Sequence, residues 1–432
     1  MAKTFRPYDP DQLLLMPPSL ADWVPEDHLA RFVRDVIETL DLSAIEEVYT
    51  EERGYPPYDP RMMVTVLLYA YCTGTYSSRK IAAKLVDSVA FRFLAAGNQP
   101  DFRTISEFRR RHGEALAALF IQGLRLCRQA GLVKLGRVAI DGTKIKANAS
   151  KHKAMSYGRM RTQEAALEQE VRALLQQAEA ADRDEDARHG GARRGDELPA
   201  ELARRESRLQ KIREAKAALE AEARATARAE GKPPDDAMPT DKAQRNFTDP
   251  EAKIQKTSDG FLQGYNAQIA VDGGPAQIIV AQHVTPAAPD VQQLMPVVAA
   301  ITQGLRRKPP QVLADAGYWS EANVTALEAK GIEPFIATGR RKHADPVAPA
   351  PRGRPPQDLS VKARMARKLA TVRGHRIYAR RKAIVEPVFG QIKHARGFRQ
   401  FLRRGLVRVQ QEWALICLSH NLLKLHAVAI RD

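Results

Sequence analysis

Two short apolar runs of this chain end alike, and that shared ending constrains the fold more than any other feature. "RVAIDGTKIK" and "QVLADAGY" carry the small and branched apolar residues of buried strands, and each stops on an aspartate, Asp141 and Asp315, close before a glycine. Strands without polar alternation belong in sheets covered on both faces by helices. If the two strands are parallel neighbours, the carboxylates stand side by side. Each then raises the pKa of the other unless a cation lies between them, and hard oxygen donors of this kind select Mg2+ or Mn2+. The chain is thus expected to build a sheet that brings two acids to one edge.

A third acid, Glu386 in "IVEPVFGQIK", lies on the apolar side of a helix marked by Val385, Val388, Phe389 and Ile392. Pro387 cannot donate a backbone hydrogen bond and disfavours helical geometry at the residue before it, so a helix is predicted to begin or kink there, with Glu386 near its N-terminus. Lys393 follows seven positions on, which at about 100° per residue returns to the same face. A cation there suits a phosphate backbone. Other acids read as structural: Asp272 before Gly-Gly as a turn residue, and Asp290 after proline, with Gln293 three residues on, as a helix cap. His420 and Asn421 in the last apolar helix read as satisfied core polar groups.

Around these residues the chain divides. Residues 1–133 read as an all-helical N-terminal domain: "PEDHLARFVRDVIETL", a buried helix stopped by Gly74, a serine-capped "SSRKIAAKLVDSVAFRFLAA", and a long helix from Thr104 opened by a Thr104–Glu107 capping box. Arg79, Lys80 and Arg109 near these starts suit either a DNA-gripping helix-turn-helix or a plain bundle with solvated charges. Residues 134–432 form the second domain. Within it, 151–245 is an insertion after the first strand, whose core at 162–231 turns to Ala, Glu, Arg, Gln and Leu. Leu202, Leu209, Ile212 and Leu219 fall on one stripe, broken from the first half by Gly-Gly, so a helical hairpin or coiled-coil arm is expected. "GYNAQIAVD" and "PAQIIVAQHVT" flank a "DGG" turn as a hairpin, and a helix, a strand, a helix and a strand follow. Residues 340–360, rich in Pro and Arg, read as a loop. The fold class is α+β, a helical domain followed by a mixed five-stranded sheet flanked by helices.

The balance of 68 Lys+Arg against 51 Asp+Glu leaves a formal charge of +17. That excess attracts polyanions, nucleic acid first among them. The longest apolar run, "MMVTVLLYAYC", is too short to span a bilayer, and the N-terminus lacks the apolar core of a signal peptide, so a cytoplasmic protein is expected. Cys72, Cys127 and Cys417 have no CxxC spacing, which points to buried thiols rather than a disulfide framework or zinc site.

Asp141, "ADAGYWSEANV" and "YARRKAIVEPVFGQIKHARGF" together resemble the DDE transposases of bacterial insertion sequences, in particular the group with a Tyr-Arg-Glu-Lys signature. The likeness extends to the helical N-terminal domain, "GYNAQIAVD" and "EWALICLSHNLLKL". It implies a ribonuclease-H-like core, catalytic and metal-binding acids at Asp141, Asp315 and Glu386, two Mg2+ or Mn2+ ions, and the signature lysine at Lys393. Tyr378 and Arg381 are the nearest matches to the signature tyrosine and arginine, although the usual spacing counts back to Ala379 and Lys382. With Arg396 and Arg399 they are expected to hold the DNA backbone. The implied activity is cut-and-paste transposition: binding of terminal inverted repeats, strand cleavage and strand transfer, by at least a dimer on double-stranded DNA in the nucleoid. The alternatives are a nuclease that stops at hydrolysis and an inactive DNA-binding regulator.

Overall fold

The computed structural model describes residues 19–50, 56–150, 153–189, 200–257, 260–339, 350–353, 356 and 358–430; the side chains of 177–189 and 200–202 lie outside the description. The described N-terminal part is helical throughout: α1 (Leu29–Glu38), α2 (Ser43–Glu46), α3 (Pro60–Cys72), α4 (Ser78–Asp87), α5 (Val89–Leu94), α6 (Phe102–Arg111) and α7 (Gly113–Gln129). α3 starts as its sequence dictates, with Asp59 accepting from the Met62 N–H and Pro60 in the first turn, where no donor is missed. Two expectations are corrected here. The capping box at Thr104 does not form, because Asp101 caps α6 by accepting from the Thr104 N–H at 2.7 Å. The long helices also break, at Ser88 and at His112, into α4–α5 and α6–α7.

β1 (Val138–Lys146) then enters a sheet with β4 (Lys253–Thr257), β5 (Gly260–Asp272), β6 (Ile279–Thr285), β7 (Gln311–Ala314) and β8 (Glu333–Ile336). The order is β4-β5-β1-β7-β8, with β6 also on β5. β5 is long enough to pair β4 with its first residues and β6 with its last, both antiparallel, while β1 lines its other edge. β1, β7 and β8 run parallel. The sheet has six strands rather than five, since β4 was not anticipated: "KIQKT" is too polar to read as a strand and is held by backbone pairing to β5. Helices α10 (Leu294–Leu305), α11 (Glu321–Ala329), α12 (Val361–Ala370), α13 (Val372–Gly390) and α14 (Leu406–Ala429) complete this part.

The insertion is a hairpin of α8 (Tyr157–His189) and α9 (Ala200–Ala229), closed at its base by the two-stranded pair β2 (Ala154–Ser156) and β3 (Gln244–Asn246). Tyr157–Glu220, Glu164–Arg213 and Glu170–Arg205 contacts descend on one helix as they rise on the other, so the helices are antiparallel. Leu209, Ile212 and Leu219 pack on Tyr157, Met160, Leu167 and Val171 in a core of their own. The Leu202 side chain and the Gly-Gly turn lie outside the described residues.

α14 ties the molecule together. It is buried from Glu412 to Leu422 and packs on α7, α3 and β6, and one continuous apolar core runs from Val24 to Leu422. Fully burying each Leu, Ile or Val contributes about 1.5–3 kcal/mol. The chain must come close at one further point. Gly74, at φ +73°, ends α3 where a Cβ would stand 2.6 Å from the Arg396 carbonyl oxygen, so both its conformation and its lack of a side chain are required.

Candidate active site

β1 and β7 pair with Val138 opposite Val312 and Ala139 opposite Leu313, the same offset that separates Asp141 from Asp315. The two aspartates therefore stand level, Asp315 just past the end of β7 and Asp141 within β1, which does not stop at the aspartate as expected but runs on to Lys146 because β5 pairs with it throughout. Burial pushes the Asp141 carboxyl up to about 6, and the charge of Asp315 pushes in the same direction, while the Arg381 guanidinium opposes both. Arg381 lies at 2.9 Å from Asp141 Oδ2, and the Gly142 N–H donates to Asp141 Oδ1 at 2.8 Å. Asp315 accepts from the Gly317 N–H at 2.7 Å, so the turn role open to any aspartate here is also filled.

Glu386 arrives from α13, but not from a helix start. α13 begins after Thr371, whose hydroxyl accepts from the Gly374 N–H, and runs through Pro387 to Gly390. The proline leaves the Ala383 carbonyl without its helical donor. Gln277 supplies one instead, with Nε2 at 2.9 Å from that oxygen, which is why the helix need not break. Glu386 is thus mid-helix and half-exposed, 3.9 Å from Arg381 Nη2. The helix widens to a π turn over Gln391–Ala395, and Lys393 turns onto β1, donating to Thr143 Oγ1 at 2.8 Å and the Lys144 carbonyl at 3.2 Å. Tyr378 lies against Arg381, with burial raising its pKa.

Asp290 is not a helix cap. Its side chain makes no cap hydrogen bond; a 3-10 turn over Val291–Gln293 precedes α10, and Asp290 Oδ1 instead accepts from Asn266 Nδ2 at 2.7 Å, Gln268 Nε2 at 2.8 Å and Lys144 Nζ at 3.4 Å. This network adjoins the aspartates. Tyr318 donates to Gln268 Oε1, and its pKa is raised by burial and then by Asp290, Asp141 and Asp315. It also explains the glycine after Asp141, because a Cβ at Gly142 would collide with the Gln268 amide. A signal for the network was present in the sequence: two amides, Asn266 and Gln268, two apart in one strand, share one face.

Several expected DNA contacts are not free to make them. Arg109 is buried, donating to the Tyr71 hydroxyl, the Tyr76 carbonyl and Ser78. Arg396 is buried against Ser419 and the Ile416 carbonyl, with burial lowering its pKa to about 10. Arg381 is buried on Asp141. A guanidinium can satisfy several acceptors inside a fold, and a count of basic residues does not separate that use from a surface one. Arg79, Lys80 and Arg399 are exposed. Asp272 holds the turn as expected, with the Gly274 N–H 3.0 Å from Oδ2, and also accepts from the Leu135 N–H. His420 contacts the Gln277 carbonyl, and Asn421 bonds both backbone groups of Ile279. Cys72, Cys127 and Cys417 are free and buried.

Residues 18–111 match a family model described as a transposase domain (DUF772), and residues 355–426 match one described as a transposase DDE domain. Both matched segments are similar to transposase domains. A 60-residue stretch is 48% identical to the putative transposase for insertion sequence element IS402 of Burkholderia cepacia, covering 12% of this chain and 28% of that one. The match thus spans little more than a quarter of that relative's length, and no solved structure matches. Glu386 and Lys393 fall inside the matched DDE segment, while Asp141 and Asp315 fall in the stretch between the two matches.

Three carboxylates are a hard-oxygen donor set that fits Mg2+ or Mn2+. Among the described residues, as they stand, no three acid, histidine or cysteine side chains gather to hold an ion, and the Arg381 guanidinium lies between Asp141 and Glu386. The fit therefore rests on the donors' chemistry and on a raised Asp141 pKa that a bound cation would reverse. No helix among the described residues is long and apolar enough to cross a membrane.

Proposed function

We propose that this chain cuts DNA strands at the ends of its own element and joins them to target DNA, on a ribonuclease-H-like core. The observation that carries the reading is the register of β1 and β7, which sets Asp141 and Asp315 level on neighbouring strands with Glu386 of α13 one guanidinium away. The strand order β6-β5-β1-β7-β8, antiparallel and then parallel, supports that core. Asp141, Asp315 and Glu386 would hold the divalent ions, whose chemistry when bound is to activate water and stabilise the entering and leaving oxygens.

The chain's own side chains place the substrate. Lys393, resting on β1 beside Asp141, and exposed Arg399 neutralise backbone phosphates without reading sequence. Asp290, Gln268 and Asn266 fix the end of β1 and keep Lys144 beside the acids. Hydrolysis adds water across one phosphodiester and frees a 3′-hydroxyl. That hydroxyl then forms a new P–O bond in target DNA and expels another 3′-oxygen. Exposed Arg79 and Lys80 of α4 would contact the element ends. Because two ends must be held at once, two copies are expected on DNA. The arm, whose apolar stripe packs on itself, does not need a second copy to cover it.

Purified Asp141→Asn, Asp315→Asn and Glu386→Gln variants, given Mg2+ and DNA carrying the element ends, should each lose cleavage by at least about a hundredfold and bind DNA as well or better, since each removes a charge facing phosphate. Cleavage retained by Asp315→Asn would refute the triad. Strand joining by the wild type separates transposition from simple hydrolysis.

A further inference from the structure

A second basic site lies along β1 from the acids. A cavity of about 700 Å3 opens where β1, β5 and the segment before α14 meet, lined among others by Lys146, Asn148, Lys153, Phe261, Gln263 and Arg404. Among the described residues, no aspartate or glutamate lines it. The ammonium groups of Lys146 and Lys153 carry no hydrogen bond or ion pair among the described residues, and Arg404 engages the Asn148 carbonyl through Nε. Phe261 is 71% exposed, a large aromatic face turned to water where nothing in the fold requires one. Gln263, 5% exposed, donates Nε2 to the Ala252 carbonyl, but its Oε1 has no partner although it is buried. An orphaned buried acceptor costs about 1–3 kcal/mol unless something donates to it.

These features select one ligand chemistry. Three cations with no acid among the described lining residues call for phosphate, and an exposed aromatic face offers stacking to a base. The volume falls within the roughly 300–1,000 Å3 of small-ligand sites. Position decides whether the nucleotide is free or part of a strand. Lys146 is five residues beyond Asp141 on β1, roughly 17 Å at 3.4 Å per residue. Lys393 rests on β1 between them, and Gln400, which bridges to Lys146, bonds the Ala147 carbonyl. The cavity therefore lies within five strand residues of the acids, although the odd spacing turns Lys146 to the other face of β1 from Asp141.

We propose that the cavity takes an unpaired nucleotide of the DNA strand that passes the acids, with its base on Phe261 and its phosphate on Lys146, Lys153 and Arg404. This rests on the proposed function, whose chemistry requires divalent metal, so binding measured in EDTA tests the cavity separately. The probes are a fluorescein-labelled oligothymidylate of roughly 12 nucleotides, a duplex of the same length, and inorganic phosphate as competitor. With the full chain, Phe261→Ala should weaken oligothymidylate binding roughly tenfold and duplex binding less than about twofold. Lys146→Gln should weaken it too and reduce the slope of log affinity on log salt by about 0.7. Phe261 lies outside the core, so an unchanged melting temperature in Phe261→Ala confirms that the loss is local. Wild-type affinity in Phe261→Ala, an equal loss on duplex, or displacement of the oligomer by phosphate alone at similar concentration would each overturn the proposal; the last would leave an anion site only.

Discussion

Asp141 is an acid that folding makes weaker. Its carboxyl titrates near 6 in the fold against 3.8 in an open chain, so the native state holds the proton more tightly than the unfolded one. Stability from this group is greatest below pH 3.8, falls as pH rises towards 6, and stays lower above it. Asp141→Asn should therefore stabilise the chain at pH 7.5, on the order of 2 kcal/mol, with the gain shrinking towards pH 4. Mn2+ should raise the melting temperature of the wild type and not of this variant; thermal melts across pH with and without Mn2+ check both, and a gain that grows towards acid would refute the account. A second contrast separates two arginines that look alike in sequence. Arg396→Gln should lower the melting temperature, because it leaves Ser419 and the Ile416 carbonyl unmatched inside the core, without changing the salt dependence of DNA binding. Exposed Arg399→Gln should do the reverse, reducing the salt slope by about one and leaving the melt unchanged. The reversed pattern would return Arg396 to the DNA surface. That the two aspartates lie side by side was legible because a charge closing an apolar run has few structural explanations, although β1 continues past Asp141 to Lys146. Asp290 was not, because proline before it and glutamine after it imitate a cap, and its true donors lie on another strand.

α13 shows how a helix can keep a proline if another element supplies the missing donor. Reading Pro387 as a helix start followed the local rule correctly, but the rule has no access to Gln277, more than a hundred residues away in sequence. Gln277→Ala should destabilise by about 1–2 kcal/mol by leaving the Ala383 carbonyl bare. Pro387→Ala restores a backbone N–H at that position, so the double variant should recover much of the loss. Denaturant melts of the two single variants and the double one measure the coupling, and strict additivity would show that Gln277 does not support the helix. The same limit explains β4: a polar stretch becomes a strand because long β5 offers it an edge. By contrast, the β5–β6 hairpin and the paired helices of the arm were readable, since turn chemistry and an apolar stripe are local.

At the scale of the molecule, the helices before β1 and the sheet after it share one core, and α14 supplies part of both. Residues 1–133 expressed alone should therefore show no cooperative melt, while the whole chain loses both parts in one transition; calorimetry of the fragment and of the whole chain decides, and a sharp independent transition in the fragment would contradict a shared core. The order of synthesis gives α14 a further consequence. It is made some 280 residues after α7, which at about 5–20 residues per second is on the order of 15–60 s. During that interval the surfaces of α3 and α7 that will receive Leu418 and Ser419 stand uncovered. A messenger broken before α14 therefore yields a chain for proteases, not a stable half-protein.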